Sequence, residues 1–513
     1  MKTGIIGRIS LAALAVLFIG AGIFFIPHAG IQTDEALFAH AIYPQRCSGA
    51  EGWIRVAGID LPLMLMTYVG ALKGWLFLAI FSIWTPSVWS VRLPPLLFAA
   101  AAIPMSARVA AMLAGPRAGV ITAALLATDA TYLLTSTLDW GPVALQHFLL
   151  ALAAWRFLSF ARSGSRAALA LSGFAVGLAM WNKAIAAWML AGLAAGALVA
   201  ARPELARLAS WRNAALFAAS FSIGAAPLLW FNATHSFATV RDNVKSDPGD
   251  LAGTARMLLF NLEGSVMEGY VFTEAQPDSA PPPRTNLLPW ALLAAIPLTP
   301  LAAPAARRVC LFLAVAIAVS WLVMTQAGGG GAAHHAVLLW PLPHLWIAVA
   351  AASMLGRRPA AIRVAVWTLM AAVCCTGAAQ IARFHQMARQ GVSAPGWSDA
   401  ILPLSGALEK YRGRWVIAAD WGLLSNLCLL TPGPLFSSLD MEPNDAAFQR
   451  VFAIPDAVIV APRPEIAVVP AMREGLMAYV KAKGIELIRV AAVHDARGRL
   501  VFEVFAFRAG MVR

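Results

Sequence analysis

The sequence predicts an α-helical polytopic membrane protein with about eleven transmembrane helices, followed by a small C-terminal extracytoplasmic α/β domain. Three observations predict it. Sixty percent of the 513 residues are hydrophobic and 13% are charged, with a mean hydropathy of +0.70, far from the roughly quarter-charged composition of soluble domains. Apolar runs of spanning length recur through residues 1–385, and basic residues fill alternate gaps between them. From about residue 385 the composition becomes that of a soluble domain.

A bilayer core about 30 Å thick needs roughly 20 apolar residues per helix. Runs of that kind fall at 9–26, 92–113, 118–136, 142–160, 167–182, 184–200, 213–231, 287–304, 309–326, 336–355 and 364–382. Basic residues favour cytoplasmic loops. With Lys2 and Arg8 inside, Arg108 and Arg117, Arg162 and Arg166, Arg202, Arg207 and Arg212, Arg307 and Arg308, and Arg357, Arg358 and Arg363 all fall inside together. The first run reads as an uncleaved anchor, because no small-x-small cleavage site follows Pro27. The expected placement is a bacterial inner (plasma) membrane, with the external loops and the C-terminal domain on the periplasmic side.

Residues 1–385 are expected to form the transmembrane domain, with extracytoplasmic loops at 27–91 and 232–286. Within the first loop, Leu61–Trp84 is apolar enough to resemble a span, but Lys73 and Pro86 favour helices lying along the membrane surface. Residues 275–286, rich in proline, read as a linker. In 386–513, Trp415–Ala419 and Ala457–Val460 read as buried strands, Glu474–Lys483 as an amphipathic helix, and Ile485–Val493 with Leu500–Phe507 as a hairpin around Asp495–Gly498.

The formal charge of +13 is spread over short loop segments, without the Lys/Arg runs interleaved with aromatics that nucleic-acid binding requires. Gly328–Gly331 lacks a following Gly-Lys-Ser/Thr, which excludes a nucleotide-binding P-loop. Cys47, Cys310, Cys374, Cys375 and Cys428 show no metal spacing and receive no role.

Charged groups near a membrane core are costly and therefore informative. On this topology Asp34, Glu35, Asp139, Lys183, His334 and His335 converge on the external face. Each also has a structural explanation: acids cap helix starts, a lysine at a helix end snorkels to the headgroups, and adjacent histidines are often solvated.

These residues carry a family resemblance. The acidic pair Asp34-Glu35 after the first span, Ser90-Val91-Arg92-Leu93-Pro94, Leu138-Asp139-Trp140, Gly177-Leu178-Ala179 leading to Lys183, and His334-His335 before Trp340-Pro341-Leu342-Pro343 resemble GT-C type glycosyltransferases that use polyprenyl-phosphate sugars. The pattern is most similar to the protein mannosyltransferase and aminoarabinose-transferase group of family 39, over roughly residues 1–385. The resemblance implies a GT-C fold and inverting transfer of a sugar from a polyprenyl-phosphate donor to a glycan, lipid or protein acceptor. It implies Asp34 as the base, with Glu35, Asp139, Lys183, His334, His335 and Arg92 in substrate binding. Asp34, Glu35 and a histidine would also suit a divalent metal, and metal dependence stays open. The rival reading is a transporter or flippase for a lipid-linked or small polar substrate, although no internal repeat supports it.

Overall fold

The computed structural model describes residues 2–39, 51–56, 58–206, 210–244, 250–273, 286–328, 333–356, 358–439 and 443–508. Residues 275–285 of the linker, Cys47, Arg207, Arg357 and Gly329–Gly331 lie outside them. Every apolar run read from the sequence lands on helix. Among the described residues, Val88–Ala114, Val143–Ser163, Pro304–Gln326 and Ala360–Arg389 are each long and apolar enough to cross a membrane alone. Two bent pairs, Pro116–Ala127 with Ala130–Thr137 (62°) and Trp211–Gly224 with Ala226–Thr234 (74°), bring the number of candidate spans to six if each pair is one span.

The breaks have local causes. Asp129 ends the first half of its pair and caps the second, its Oδ1 accepting the Tyr132 N–H at 3.0 Å. Its Oδ2 accepts the Trp340 indole N–H at 2.6 Å and is 2.8 Å from His344 Nε2. A carboxylate buried in an apolar bundle must be paired in this way, so Asp129 fastens the break to the segment around Trp340. In the second pair Pro227 occupies the start of the new helix, where its missing N–H is harmless. Val88–Ala114 begins four residues before the predicted span because Ser87 and Ser90 form a reciprocal capping box.

The basic loops do gather at one end. Arg117 donates to the Leu355 carbonyl at 2.7 Å, Arg358 to the Leu301 carbonyl at 2.8 Å, and Arg308 to the Glu204 carboxylate at 2.5 Å and the Ala200 carbonyl. Asp34, Asp139, Lys183 and His334 lie in the loops at the opposite ends of these helices.

The loop 27–91 differs from expectation. Leu61–Trp84 is not a series of surface helices: Trp53–Val56 pairs with Ile59–Pro62, Met64–Met66 pairs with Val69–Gly70, and only Leu72–Phe81 is helical. Strand pairing prevails because this segment docks on the end of another helix. Gly70 lies so close to the Trp181 carbonyl that a Cβ would sit 1.9 Å from it, and the Trp181 indole donates to the Leu63 carbonyl at 2.8 Å.

The C-terminal part forms a five-stranded sheet in the order Leu435–Ser438, Trp415–Ala418, Val458–Pro462, Leu500–Arg508, Glu486–His494. The first three strands are parallel and the last two antiparallel. The two strands, the helix (Pro470–Lys483) and the hairpin read from the sequence are all present. The strand Leu435–Ser438 and the helices Leu423–Leu430 and Asp445–Phe452 are additional to those expected from the sequence. One face of the sheet packs on Leu423, Leu427 and Cys428, the other on Phe448, Met472 and Leu476. Cys428 is disulfide-bonded, which the sequence reading did not foresee, whereas Cys310, Cys374 and Cys375 are free.

Candidate active site

Asp34 opens the short helix Thr33–Ala39 just beyond the first span. Its backbone N–H donates to Gln32 Oε1 at 2.6 Å, which fixes the turn that aims the carboxylate. Burial raises the Asp34 carboxyl to about 6, against the opposing pull of Lys183 and Lys73, while Glu35 adds to the rise. A carboxyl with that affinity is deprotonated at neutral pH yet basic enough to take a proton.

Glu35 and Arg92 do something other than bind substrate. Both are fully buried, and Arg92 Nε and Nη2 donate to the Glu35 carboxylate at 2.8 Å each. Nη1 donates to the Ile26 and Ala29 carbonyls at 2.7 and 2.8 Å, and Nη2 to the Gly30 carbonyl at 2.6 Å. A guanidinium has five N–H donors, and all five are used within the protein. Arg92 therefore has none left for a phosphate, and the expectation that it binds one is corrected. Glu35, which also accepts the Gln32 N–H at 3.0 Å, is the other half of a strut that holds the segment carrying Asp34.

Asp139 caps a helix and anchors a lysine at once. Its Oδ1 accepts the Val143 and Ala144 N–H groups at 2.8 and 3.1 Å, and its Oδ2 lies 2.9 Å from Lys73 Nζ. Lys73 also donates to the Asp139 carbonyl at 2.9 Å. The sequence reading used Lys73 only as an argument against a span, and so missed it. The available signal was a single cation inside an apolar stretch, which this structure buries to 3% exposure.

Lys183 sits in the break between Arg166–Asn182 and Ala186–Ala200, its backbone extended and bridged to Val69. The Ala184 N–H donates to the Tyr68 carbonyl at 2.8 Å, which fastens the break to the hairpin of Met64–Met66 and Val69–Gly70. Lys183 Nζ donates to the Gly141 carbonyl at 3.0 Å. Burial lowers its ammonium to about 8, opposed by Asp139 and Asp34.

His334 and His335 lie on the turn Ala333–Ala336. A Cβ built on Gly141 would stand 3.1 Å from Lys183 Nζ and 3.7 Å from the His334 Cβ, so the three are neighbours. Burial, with Lys183 and His335 adding positive charge, pushes His334 well below the usual imidazole range. His335 packs against the Trp188 and Tyr68 rings at centroid distances of 5.6 and 6.3 Å. Tyr68 and Tyr270, which the sequence reading did not single out, both feel the Asp34 charge. The set Asp34, Glu35 and a histidine does not form a ligand shell: Glu35 is committed to Arg92, and no group of three potential ligands assembles among the described residues.

The fold has close structural relatives. A computed superposition on ArnT from Cupriavidus metallidurans bound to undecaprenyl phosphate gives a TM-score of 0.63 at 13% identity, covering 98% of both chains. The chain has a GT-C fold. The arabinofuranosyltransferase AftD from Mycobacteria matches with a TM-score of 0.57 at 19% identity, over 98% of this chain and 40% of that one. The archaeal oligosaccharyltransferase AglB from Archaeoglobus fulgidus, in complex with an inhibitory peptide and a dolichol-phosphate, matches with a TM-score of 0.51 at 12% identity, over 98% and 74%. In sequence, residues 68–230 match the family of dolichyl-phosphate-mannose-protein mannosyltransferases. No curated protein matches by sequence.

The two perturbed groups predict a bell-shaped pH profile. A protonated Asp34 cannot accept a proton, so kcat/KM is expected to fall as pH drops through about 6. A neutral Lys183 no longer supports an anion, so the alkaline limb is expected near 8. Because Lys183 lowers the Asp34 value, Lys183→Met is expected to move the acid limb to higher pH; a limb that stays in place would separate the two residues.

Proposed function

We propose that this GT-C protein is an inverting glycosyltransferase that takes a sugar from a polyprenyl-phosphate donor at the extracytoplasmic face of a membrane. The observation that carries the reading is a half-buried carboxylate, Asp34, under the charge of two buried lysines, Lys73 and Lys183, in a fold shared with proteins bound to undecaprenyl phosphate and dolichol-phosphate. Asp34 takes the proton of an acceptor hydroxyl as its oxygen bonds to the anomeric carbon. The bond from that carbon to the phosphate oxygen breaks, and its electron pair leaves with the lipid phosphate. That leaving group is already a stable anion, so it needs positive charge more than a general acid. Lys183 and Lys73 supply that charge, with His334 and His335 beside them, and a single carboxylate then suffices where glycoside hydrolysis uses two. Attack opposite the leaving group inverts the anomeric centre.

The disulfide at Cys428 supports an extracytoplasmic, periplasmic location for the C-terminal domain, since such bonds persist in oxidising compartments. The residues proposed for the site, Asp34, Lys73, Lys183 and His334, gather at one end of the helices, which favours an enzyme over a transporter.

The test is transfer by the purified protein in lipid, using a panel of radiolabelled polyprenyl-phosphate sugars with membrane extract as acceptor. One donor is expected to be consumed, releasing polyprenyl phosphate and labelling an acceptor with the opposite anomeric configuration. Lys183→Met is expected to raise the donor KM and lower kcat, together losing roughly 100-fold in kcat/KM, within the range for removal of one charge-stabilising donor. No consumption of any donor by folded protein would overturn the reading.

A further inference from the structure

Toward the end of the bundle opposite Asp34, the helices Ala186–Ala200 and Pro304–Gln326 pack antiparallel in close contact. Gly192 and Gly196 permit the approach: a Cβ on Gly196 would lie 2.6 Å from the Phe312 carbonyl oxygen, and one on Gly192 would overlap Ala316 and Ser320. Past these glycines lies an open cleft of about 490 Å³, a size within the range of small-ligand sites. Val199 lines it from the first helix, Thr299 and Pro300 from the end of Leu288–Leu298, and Pro304, Arg307 and Leu311 from the other helix of the pair.

The walls are apolar. Pro300 and Pro304 carry no N–H, and the Thr299 hydroxyl is already used, donating to the Ala295 carbonyl at 2.9 Å and accepting the Trp346 indole N–H at 3.0 Å. Val199 and Leu311 are exposed on the outer surface of the bundle, as is Leu301 next to Pro300. The cations differ in their commitments. Arg308 is held by the Ala200 carbonyl and the Glu204 carboxylate, Arg202 Nε donates to the Leu198 carbonyl at 2.8 Å, and Arg358 is held by the Leu301 carbonyl. Arg307 is exposed, and among the described residues its guanidinium makes no hydrogen bond or ion pair.

The surplus positive charge is not met from the segments that build the cleft. Glu204 is the sole acidic residue in the sequence between Asp139 and Asp242, and residues 279–398 contain none. Four arginines, Arg202, Arg307, Arg308 and Arg358, therefore stand at this end of the helices against the Glu204 carboxylate. A basic pocket between spanning helices, opening beside exposed apolar surface, suits an anionic lipid headgroup. A free anion in water would gain from Arg307 and nothing from the walls. A phospholipid uses both, its phosphodiester meeting the uncommitted guanidinium and its chains covering the apolar side chains.

We infer that this cleft binds an anionic phospholipid of the surrounding bilayer, with the headgroup phosphodiester on Arg307 and the acyl chains along Val199 and Leu311. The site is separate from the one around Asp34 and does not depend on the transferase reading. The test is native mass spectrometry of the full chain, delipidated in detergent and titrated with dioleoyl-phosphatidylglycerol, dioleoyl-phosphatidylcholine or glycerophosphoglycerol, the soluble headgroup. One phosphatidylglycerol is expected to bind ahead of phosphatidylcholine and to raise the unfolding temperature, since a ligand held by the folded state stabilises it. Its affinity is expected to fall about 5-fold in Arg307→Gln, the worth of one basic residue at an anionic surface, and to fall also in Val199→Trp, whose ring occupies the cleft without changing charge. Both residues are exposed, so both variants are expected to fold. Arg212→Gln removes the same charge from the start of Trp211–Gly224, outside the cleft, and is expected to bind as the wild type does. Equal affinity for the two lipids, or equal weakening by Arg212→Gln and Arg307→Gln, would reveal an annular lipid held by overall charge and overturns the site. Unchanged binding in Val199→Trp places the lipid elsewhere and overturns it too. Glycerophosphoglycerol binding as tightly as the lipid would assign the cleft to a soluble phosphodiester and overturn the lipid.

Discussion

Asp34→Asn is expected to lower transfer roughly 10²- to 10⁴-fold, the usual contribution of a positioned general base, while the protein stays folded and inserted. The amide retains the size of the carboxyl and its place on the helix Thr33–Ala39, where the backbone N–H contact to Gln32 is unaffected by the change. Removing a partly desolvated charge relieves a burial penalty, so thermal stability is expected to hold or rise slightly. Donor binding is expected to persist, because Lys183 and Lys73, proposed to take the phosphate, remain. The measurement is single-turnover transfer beside an unfolding curve. Wild-type turnover by Asp34→Asn would remove Asp34 from the mechanism, and loss of folding would show that it is a structural group.

Arg92→Met is expected to destabilise the protein by about 3–5 kcal/mol, the range found when one partner of a buried ion pair is removed. Glu35 would be left charged and unpaired, and the carbonyls of Ile26, Ala29 and Gly30 would lose their donors. Arg92→Lys is expected to fail as well, since three donors on a flexible stem cannot replace five on a planar fork. Glu35→Gln combined with Arg92→Met removes both charges and should recover part of the loss. Unfolding curves in detergent, with the donor KM of each variant, separate the strut from a phosphate ligand. An unchanged Tm with a raised donor KM in Arg92→Met would restore the phosphate role.

These two predictions differ because adjacent acidic residues, equivalent in sequence, face different partners. Asp34 and Glu35 form one motif in the chain, and a helix turns about 100° per residue. One carboxylate therefore points toward Lys183 and Lys73 and the other toward Arg92. No spacing rule assigns the two directions without knowing what surrounds the helix. Asp139 likewise had a cap reading and a site reading that looked exclusive. It is both a cap and the anchor of Lys73, a residue sixty-six positions earlier in the chain.

The sequence alone determined the helical segments, the gathering of Arg117, Arg308 and Arg358 at one end and of Asp34, Lys183 and His334 at the other, and the mixed character of the tail. It could do so because desolvating a charge or an unpaired peptide group in hydrocarbon costs several kcal/mol. That cost acts residue by residue and leaves its mark on composition. Only the tertiary structure decided that Leu61–Trp84 folds into hairpins against Trp181, that Arg92 is consumed by Glu35 and three carbonyls, that Lys73 pairs with Asp139, and that Gly422 of the C-terminal part packs against Thr33 beside Asp34. Each of these rests on groups far apart in the chain meeting at distances of a few ångströms, and hydrogen-bond donors and charges are assigned by such meetings rather than by their neighbours in sequence.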